Sequence, residues 1–600
     1  MGNKSSKTDN IEKQSKKVNN EGDFVIGVDF GSSGTAFAYG IFGKKRYEPI
    51  TGYFDGQTNN NKISTEIILD DDLNILAFGN DCVSYLSNEN NKKFHHFQNI
   101  KMNLYKKKDK VKARNSDKEV DIEKIIELIL IEIKKKATDQ IRRNSNKLNS
   151  KEELTFHWVI TVPAIWDTKS KQIMINAADK AGLFAKDDDP SNFFALEPEA
   201  ASIYYHNSPN ASNDLKDFNE PFILCDIGGG TVDIVTQVKI KNKEEGLKFK
   251  ELYPPLGGDN GCNKINEFFM EKVIKELFGK DCFNNTKKKV CETMYNKWIE
   301  LEKKIEEFKK SYIKKDQLNS YFIIDCEIFY NYYSEEKKIN QLIKDFNSKK
   351  PDWKLNIDES SRTWKIKFPY QIIEDFLDEL KNMITNYISQ ILVKVKNIKY
   401  FIMTGGGSVN PILQEKIQNS EVLKNINFVE SPNPEIAIAY GAVLFSYDHN
   451  IISPRKAKYT FGIKSLRRWN EEIHGNGGIK IYDDLKDEYK CANCFSKFIT
   501  INEDIRNDQY ITHQYLMSSS EVTIKLYKTK EKNVVFIDEQ NEKGELKVTK
   551  FAEFTIDVGQ NFDTSNRKAE VKMKLGGTFL SVSAIYCLTG EDAKIKTLYE

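Results

Sequence analysis

Six hundred residues are enough for two or more domains around a large buried core. Ninety basic against 88 acidic residues leave a net charge of +2, so no global field points to nucleic acid or to a membrane surface. The composition, 39% hydrophobic and 30% charged, is that of a globular chain, and no apolar run approaches the ~20 residues of a membrane span or forms a secretory core. Nine cysteines, an odd number without framework spacing, fit a reducing compartment, so the expected location is cytoplasmic.

Residues 1–22 form a polar, lysine-rich tail that is expected to be disordered. It opens Met1-Gly2-Asn3-Lys4-Ser5-Ser6, and Gly2 with Ser6 matches the N-myristoylation pattern. One acyl chain binds a membrane only marginally, and Lys4, Lys7, Lys13, Lys16 and Lys17 would supply the second, electrostatic signal for peripheral membrane contact. The alternative is an ordinary solvated tail.

Phe24 to Val28 then reads as a buried strand that ends in Asp29, followed by Gly31-Ser32-Ser33-Gly34-Thr35 and a second apolar run from Ala36 to Tyr39. Hairpin-like strands continue through Tyr53 and Ile67-Ile68-Leu69. Asp121 to Ala137 is an amphipathic helix with Ile122, Ile125, Ile126, Ile129 and Ile133 on one face. His157 to Val162 is a buried strand stopped by Pro163, and Asp167 suits the N-cap of a helix over Lys171–Ala181 that Gly182 ends. Leu196-Glu197-Pro198-Glu199-Ala200-Ala201 opens another helix, with Pro198 in its first turn.

The most informative stretch is Phe222 to Asp233. Four apolar residues lead to Asp226, then to Gly228-Gly229-Gly230, Thr231 and Asp233. Val232, Ile234 and Val235 resume the apolar pattern, so the glycines make a strand–turn–strand hairpin and not a Walker loop, whose Gly-Lys-Ser/Thr is absent. Glycines let backbone N–H groups approach an anion closely, and a carboxylate at a strand end can hold a hydrated Mg²⁺. Alone, such a motif is equally met by a tight hairpin that carries an aspartate. The Phe24–Thr35 stretch repeats the plan, however, and Tyr400 to Ser408 is a third buried strand ending in Gly405-Gly406-Gly407, with a helix starting at Pro411. Three such strands, roughly 200 residues apart, point to two related half-domains around one nucleotide.

Between them, Lys264–Phe278 and Trp298–Lys310 read as helices, and residues 311–370 as an aromatic, lysine-rich insertion. Ala437 to Leu444 is a further helix. From about residue 449 the character changes to period-two alternation (Phe498–Ile501, Val522–Tyr527, Val534–Ile537, Phe551–Val558, Val571–Leu575, Phe579–Ile585), the pattern of an antiparallel β domain. Cys491-Ala492-Asn493-Cys494 is a lone C-x-x-C; with no second pair and no histidine beside it, incidental thiols are favoured over zinc.

These motifs, in this order and spacing, resemble the phosphate-1, phosphate-2 and adenosine motifs of the actin, sugar-kinase and seventy-kilodalton heat-shock chaperone superfamily. The V-P-A strand, the Glu197-Pro198 element and the β-rich C-terminal part bring the likeness to the heat-shock chaperones, and Lys490-Cys491 with Phe495–Ile499 to their divergent twelve-A/twelve-B subfamily. The resemblance implies an α/β, actin-like ATPase over residues 23–448, with two related lobes closing on a nucleotide, and a β-rich substrate-binding-like domain over 449–600 without a helical lid. It implies ATP or ADP with Mg²⁺ as cofactors. Gly31, Ser32, Ser33, Gly34, Gly228, Gly229, Gly230 and Thr231 would cradle the phosphates, and Asp29 and Asp226 would hold Mg²⁺ through water. Glu197 would orient the attacking water, assisted by Thr231 and Asp233. Glu306, Lys309, Lys310, Gly405, Gly406 and Gly407 match the elements that surround ribose and adenine, while Gly257 and Gly258, in a turn that resembles the family's L-G-G-x-D, and Glu435, before the helix that closes the ATPase domain, complete the implied cofactor-binding set.

Three departures stand out. Gly79-Asn80-Asp81-Cys82-Val83 puts valine where the family has a phosphate-contacting lysine, which predicts slow hydrolysis. Val409 replaces the adenine-stacking arginine. Ile451 to Lys456 replaces the acidic-leucine linker, so nucleotide-to-client coupling and co-chaperone stimulation are in doubt. The leading expectation is a weak ATPase that binds protein or peptide clients through the β domain. A nucleotide-locked scaffold and a sugar kinase of the same fold are the rivals, and a nucleic-acid partner is not expected.

Overall fold

The computed structural model describes residues 24–599 except 43–48, 55–60, 88–92, 145–153, 185–191, 208–218, 243–245, 290–293, 334–335, 359–363, 485–486, 507–508, 518, 560–567, 575–580 and 591–593. The tail with Gly2 and its lysines lies outside the described residues. Among them, no helix is long and apolar enough to cross a membrane.

β1 (Phe24–Asp29) is buried along its whole length, as an uninterrupted apolar run with Val25, Ile26 and Val28 requires. It pairs antiparallel with β2 (Gly34–Ile41), which carries β3 (Ile50–Thr51) and β4 (Lys62–Ser64). On its other side run β5 (Phe156–Val162) and then β6 (Phe194–Leu196), both parallel. The second sheet repeats this plan. β7 (Phe222–Ile227) pairs antiparallel with β8 (Val232–Asn242), and β8 with β9 (Gly246–Gly258). β10 (Tyr400–Thr404) and β11 (Asn427–Val429) follow parallel on the other side. The two sheets therefore share strand order and strand directions, and Asp29 and Asp226 end equivalent central strands. The resulting molecule is a mixed α/β protein.

Helices fill the space around these sheets. α1 runs Ile122–Asn144, longer than the apolar stripe read from sequence, because Ala137, Thr138 and Ile141 continue the buried face. Thr138 stays in the helix by donating its hydroxyl to Lys134 O at 2.8 Å. α2 (Thr168–Lys180) has the expected cap, Asp167 accepting from Ser170 N at 2.9 Å. α3 (Glu197–Asn207) is buried on every side but its last residue. α4 spans Tyr295–Ser311. α5 (Ala437–Phe445) is apolar all round and joins α3 and both sheets in one core cluster. Its approach is so close that a Cβ at Gly441 would strike the Ala200 carbonyl. The predicted helix over Lys264–Phe278 is helical throughout but not uniform: Asn263–Phe268 and Lys275–Phe278 flank a π-helical Phe269–Ile274. Residues 311–370 supply a three-stranded sheet, Tyr321–Asp325, Lys365–Pro369 and Asn356–Ile357, which packs into the core of the second half through Trp353, Trp364 and Phe368.

After residue 455 the chain is almost all antiparallel. One sheet holds, in spatial order, Lys480–Asp483, Glu488–Ile499, Thr460–Arg468, Glu521–Thr529, Thr549–Asp557 and Lys594–Tyr599; a second holds Tyr510–Leu516, Lys568–Lys574 and Ser581–Tyr586. Alternating buried residues of both sheets, such as Leu526, Phe554, Val571 and Met573, share one core. Val534–Ile537 is not the strand its composition predicts. Glu539 Oε1 accepts from Val535 N and Phe536 N at 2.6 and 3.0 Å, which turns the chain and leaves only a bridge between Phe536 and Cys494. Leu575, Phe579 and Leu580, at the ends of two of the predicted strands, lie outside the described residues.

Candidate functional site

Asp226 pairs directly with Asp233 across the second hairpin, so the two carboxylates leave the turn on neighbouring strands. The turn itself is pinned from behind: the carbonyls of Gly228, Gly229 and Gly230 accept from the backbone N–H of Cys262, Asn263 and Gly261 at 3.0, 2.8 and 3.2 Å. In front of it stands the turn of the first hairpin. A Cβ at Gly229 would collide with Ser33 Oγ, and one at Gly230 with Ser32 Oγ and Met102. Asn263 Nδ2 donates to Ser33 Oγ at 2.9 Å, which ties the first hairpin to the second half of the chain. Ser33 and Ser32 thus face Gly229 and Gly230.

Four carboxylates are buried here: Asp29, Glu197, Asp226 and Asp233. Glu197 opens α3 and Pro198 follows it in the first turn. Asp226 Oδ1 and Asp233 Oδ2 are buried without a hydrogen-bond partner, a costly state for charged oxygens that a bound cation relieves. Asp233 Oδ1 accepts from Ile165 N at 3.1 Å. Burial, then the neighbouring Glu197, Asp233 and Asp29 charges, push the Asp226 carboxyl well above the usual range. Burial raises Glu197 to about 7, against the pull of Lys101. Burial also raises Asp233.

Two lysines reach this cluster that sequence reading missed. Lys62 Nζ sits 3.0 Å from Asp29 Oδ2. Burial depresses its pKa, but Asp29 first, then Asp226 and Glu435, raise it above the ordinary value. Lys101, 2% exposed at the start of the helix Ile100–Tyr105, pairs with Glu197 Oε1. Val83 lies 39% exposed on the short helix Asp81–Leu86, and the buried lysine beside Glu197 is Lys101. The available signal was an exposed-looking lysine in Asn99-Ile100-Lys101-Met102, and nothing local distinguishes it from a surface residue.

Gly405, with φ +82°, allows β10 to turn beside Asp226; a Cβ there would meet Asp226 Oδ1. Gly406 faces open space and Gly407 packs on Ile227. Glu306 on α4 is bound by Lys309 Nζ at 2.5 Å, Lys310 Nζ at 3.2 Å and Asn266 Nδ2 at 2.7 Å. Burial would raise its carboxyl, but Lys309 and these hydrogen bonds outweigh it and hold the pKa down to about 2. Lys309 also donates to Cys262 O at 3.4 Å, beside the Gly228 turn, whereas Lys310 is largely exposed. Gly258 abuts the Tyr387 hydroxyl, with Gly257 before it at φ +151°. Val409 is 51% exposed. Glu435 is exposed.

Polar bridges link the two halves at one side of these turns. His96 pairs with Glu66 Oε2 at 2.8 Å and with the hydroxyl of Tyr295 on α4. Arg114 holds Glu302 on α4 with both oxygens at 2.6–2.7 Å. On the other side, the segment 451–456 is docked. Ile451 O and Phe249 O exchange hydrogen bonds with Phe249 N and Ser453 N at 2.8 and 2.9 Å. Arg455 Nε and Nη2 then bind Glu199 Oε1 and Oε2, both at 2.7 Å, with Glu199 fully buried two residues from Glu197.

Two sheets of one topology, with two of their turns facing each other and buried carboxylates beside them, make up this part of a mixed α/β protein. No family model matches the chain. Over 95% of its length and 90% of theirs, it is 24% identical to heat shock 70 kDa protein 12A of Homo sapiens and of Mus musculus. To human heat shock 70 kDa protein 12B it is 21% identical over the same shares. The chain is a distant relative of the twelve-A and twelve-B heat-shock proteins, the subfamily its motifs resemble.

Proposed function

We propose that this protein binds Mg·ATP between the two facing turns and hydrolyses it slowly, and that residues 23–448 form an actin-like nucleotide-binding domain whose state is communicated to a client-binding β-rich domain over 449–600. The observation that carries this reading is the pair of buried, unpartnered carboxylate oxygens of Asp226 and Asp233 opposite the Ser32–Ser33 turn. Asp29 and Asp226 would hold a hydrated Mg²⁺, which neutralises phosphate charge. The glycine turns would cradle the phosphates with backbone amides. Gly405, Gly406 and Gly407, with Glu306 and Lys309, would face the nucleoside.

Hydrolysis needs a proton acceptor for the attacking water. Glu197 is suited to it, because a base poised near 7 is deprotonated at working pH yet still basic. Lys101 holds that carboxylate in place and sets positive charge where phosphate charge develops. The sugar-kinase rival has no support in the similarity to the heat-shock proteins over 95% of the chain. Lys101 beside Glu197 favours turnover over the nucleotide-locked scaffold, whose other motive, the altered linker at 451–456, stands.

Single-turnover hydrolysis of Mg·ATP tests the reading. Glu197 accepts a proton only when ionised, so phosphate release is expected to rise with pH through about 7 and then level, and to vanish in Asp226→Ala. ATP bound without phosphate release would favour the scaffold, and phosphate appearing on a polyol would favour the kinase. A rate that does not change with pH would remove Glu197 from the role.

A further inference from the structure

The C-x-x-C motif is not isolated in space. A C-x-x-C placed in a regular strand points its two thiols to opposite faces, because side chains alternate with period two. Here the strand Glu488–Ile499 is bulged: Cys494 pairs with Ser465, but Cys491 pairs with Arg467, so three steps on one strand match two on the other. The extra residue turns Cys491 and Cys494 to the same side. His474, at the end of the one-turn helix Glu471–His474, closes over them. The ligand atoms of His474, Cys491 and Cys494 all lie within 4.8 Å of one another, and the three residues are 4%, 0% and 2% exposed. The Cys494 Sγ to His474 Nε2 separation is 3.7 Å. Zinc–sulfur and zinc–nitrogen bonds of about 2.3 and 2.0 Å at tetrahedral angles require roughly this spacing.

We propose that His474, Cys491 and Cys494 bind a zinc ion that joins the Glu471–His474 turn to the bulged strand. The expectation of incidental thiols is thereby revised: the histidine that seemed absent is 17 residues upstream of Cys491, brought in by the fold. The surroundings are built to hold the ligands. Asn470 caps the turn by accepting from Glu472 N and Ile473 N at 2.8 and 3.2 Å. Asn493, between the cysteines and 1% exposed, accepts from Cys491 Sγ at 3.1 Å and Ile479 N at 2.9 Å, and donates to Gly477 O at 2.9 Å and to Asp538. Such outer partners orient metal ligands. Three protein ligands of the Cys₂His type leave the fourth position to water.

Without metal, His474 Nδ1 accepts from Asn470 N at 2.9 Å, so the neutral ring carries its proton on Nε2, aimed at Cys494. Loading zinc through Nε2 moves that proton to Nδ1, displaces the Asn470 contact, and releases the two thiol protons to solvent. The ion stays divalent and nothing is oxidised.

The test uses the full chain, expressed with added zinc, purified without chelator and dialysed against metal-free buffer. Elemental analysis is expected to find one zinc per chain, and titration with a mercurial to release it as the Cys491 and Cys494 thiols react. Cobalt exchanged into the protein is expected to show thiolate-to-metal charge-transfer absorption. Cys491→Ser with Cys494→Ser should lose the zinc, while Cys587→Ser, at an exposed thiol, should keep it. If the double variant fails to fold, the mercurial and cobalt measurements on the native chain still decide. Substoichiometric zinc with both thiols freely reactive, or a Cys491–Cys494 disulfide under native conditions, would overturn the proposal.

Discussion

Replacing Lys101 by methionine is expected to slow ATP hydrolysis by about 10²–10³-fold, the usual cost of losing one preorganised charge at a reacting phosphate or acyl centre. The substitution keeps the length of the side chain, and Lys101 is 2% exposed, so the effect is not one of exposed surface. Two consequences separate this role from a structural one. Lys101 pulls the Glu197 carboxyl down against burial and the neighbouring Asp233 and Asp29. Without it, the pKa that governs turnover moves upward from about 7, and the pH profile of single-turnover hydrolysis shifts to the alkaline side. ATP affinity should change much less than the rate if the pair acts, as proposed, on the attacking water. Val83→Lys, at an exposed position, should leave the rate near that of the wild type. A rate lost in Lys101→Met with no movement of the pH profile would assign the lysine to folding alone.

The second large effect is expected at Arg455. Both its Nε and Nη2 bind Glu199, which is fully buried, and the Arg455 side chain is only 10% exposed. Arg455→Met strands the buried Glu199 carboxylate, and breaking a buried pair from one side costs about 3–5 kcal/mol. Denaturant unfolding of the variant should show that loss, and Arg455→Met with Glu199→Gln should recover part of it, because the Glu199 charge is removed along with its partner. The segment 451–456 should also become a protease-sensitive site, since the salt bridge and the Phe249 backbone bonds hold it together. Glu199 lies in the first turn of the helix that Glu197 opens, so a parallel change in ATP turnover would report communication between the linker and the proposed site. Equal stability of the single and double variants with wild type would remove the pair from this account.

What the sequence reveals here follows from how local each signal is. The two hairpins are legible because apolar runs such as Phe222–Cys225 and Phe24–Val28 dictate buried strands, and glycine with aspartate dictates the turn. The Asp167 cap and the Pro198 helix start are equally local. Lys101 and Lys62 are not legible: a lysine near Met102 or Ile63 carries no mark of burial, and only the meeting of distant segments places it on Glu197 or Asp29. The same holds for His474, which a bulge and a one-turn helix bring to Cys491 and Cys494. Val534–Ile537 has strand composition, yet Glu539 captures its amides and turns the chain. The π-helical Phe269–Ile274 begins at Phe269, which packs on the rings of Phe308 and Phe368, and its residue types do not announce it.

The central claim is that the facing turns hold a magnesium nucleotide, and calorimetric titration of the full chain with ATP, with and without Mg²⁺, tests it most directly. One site per chain is expected, with binding that weakens strongly when Mg²⁺ is withheld, and with loss of that magnesium dependence in Asp226→Ala, whose unpartnered oxygen is the proposed hold on the hydrated ion. Absence of ATP binding by a folded wild-type chain, or binding indifferent to both Mg²⁺ and Asp226, would contradict it.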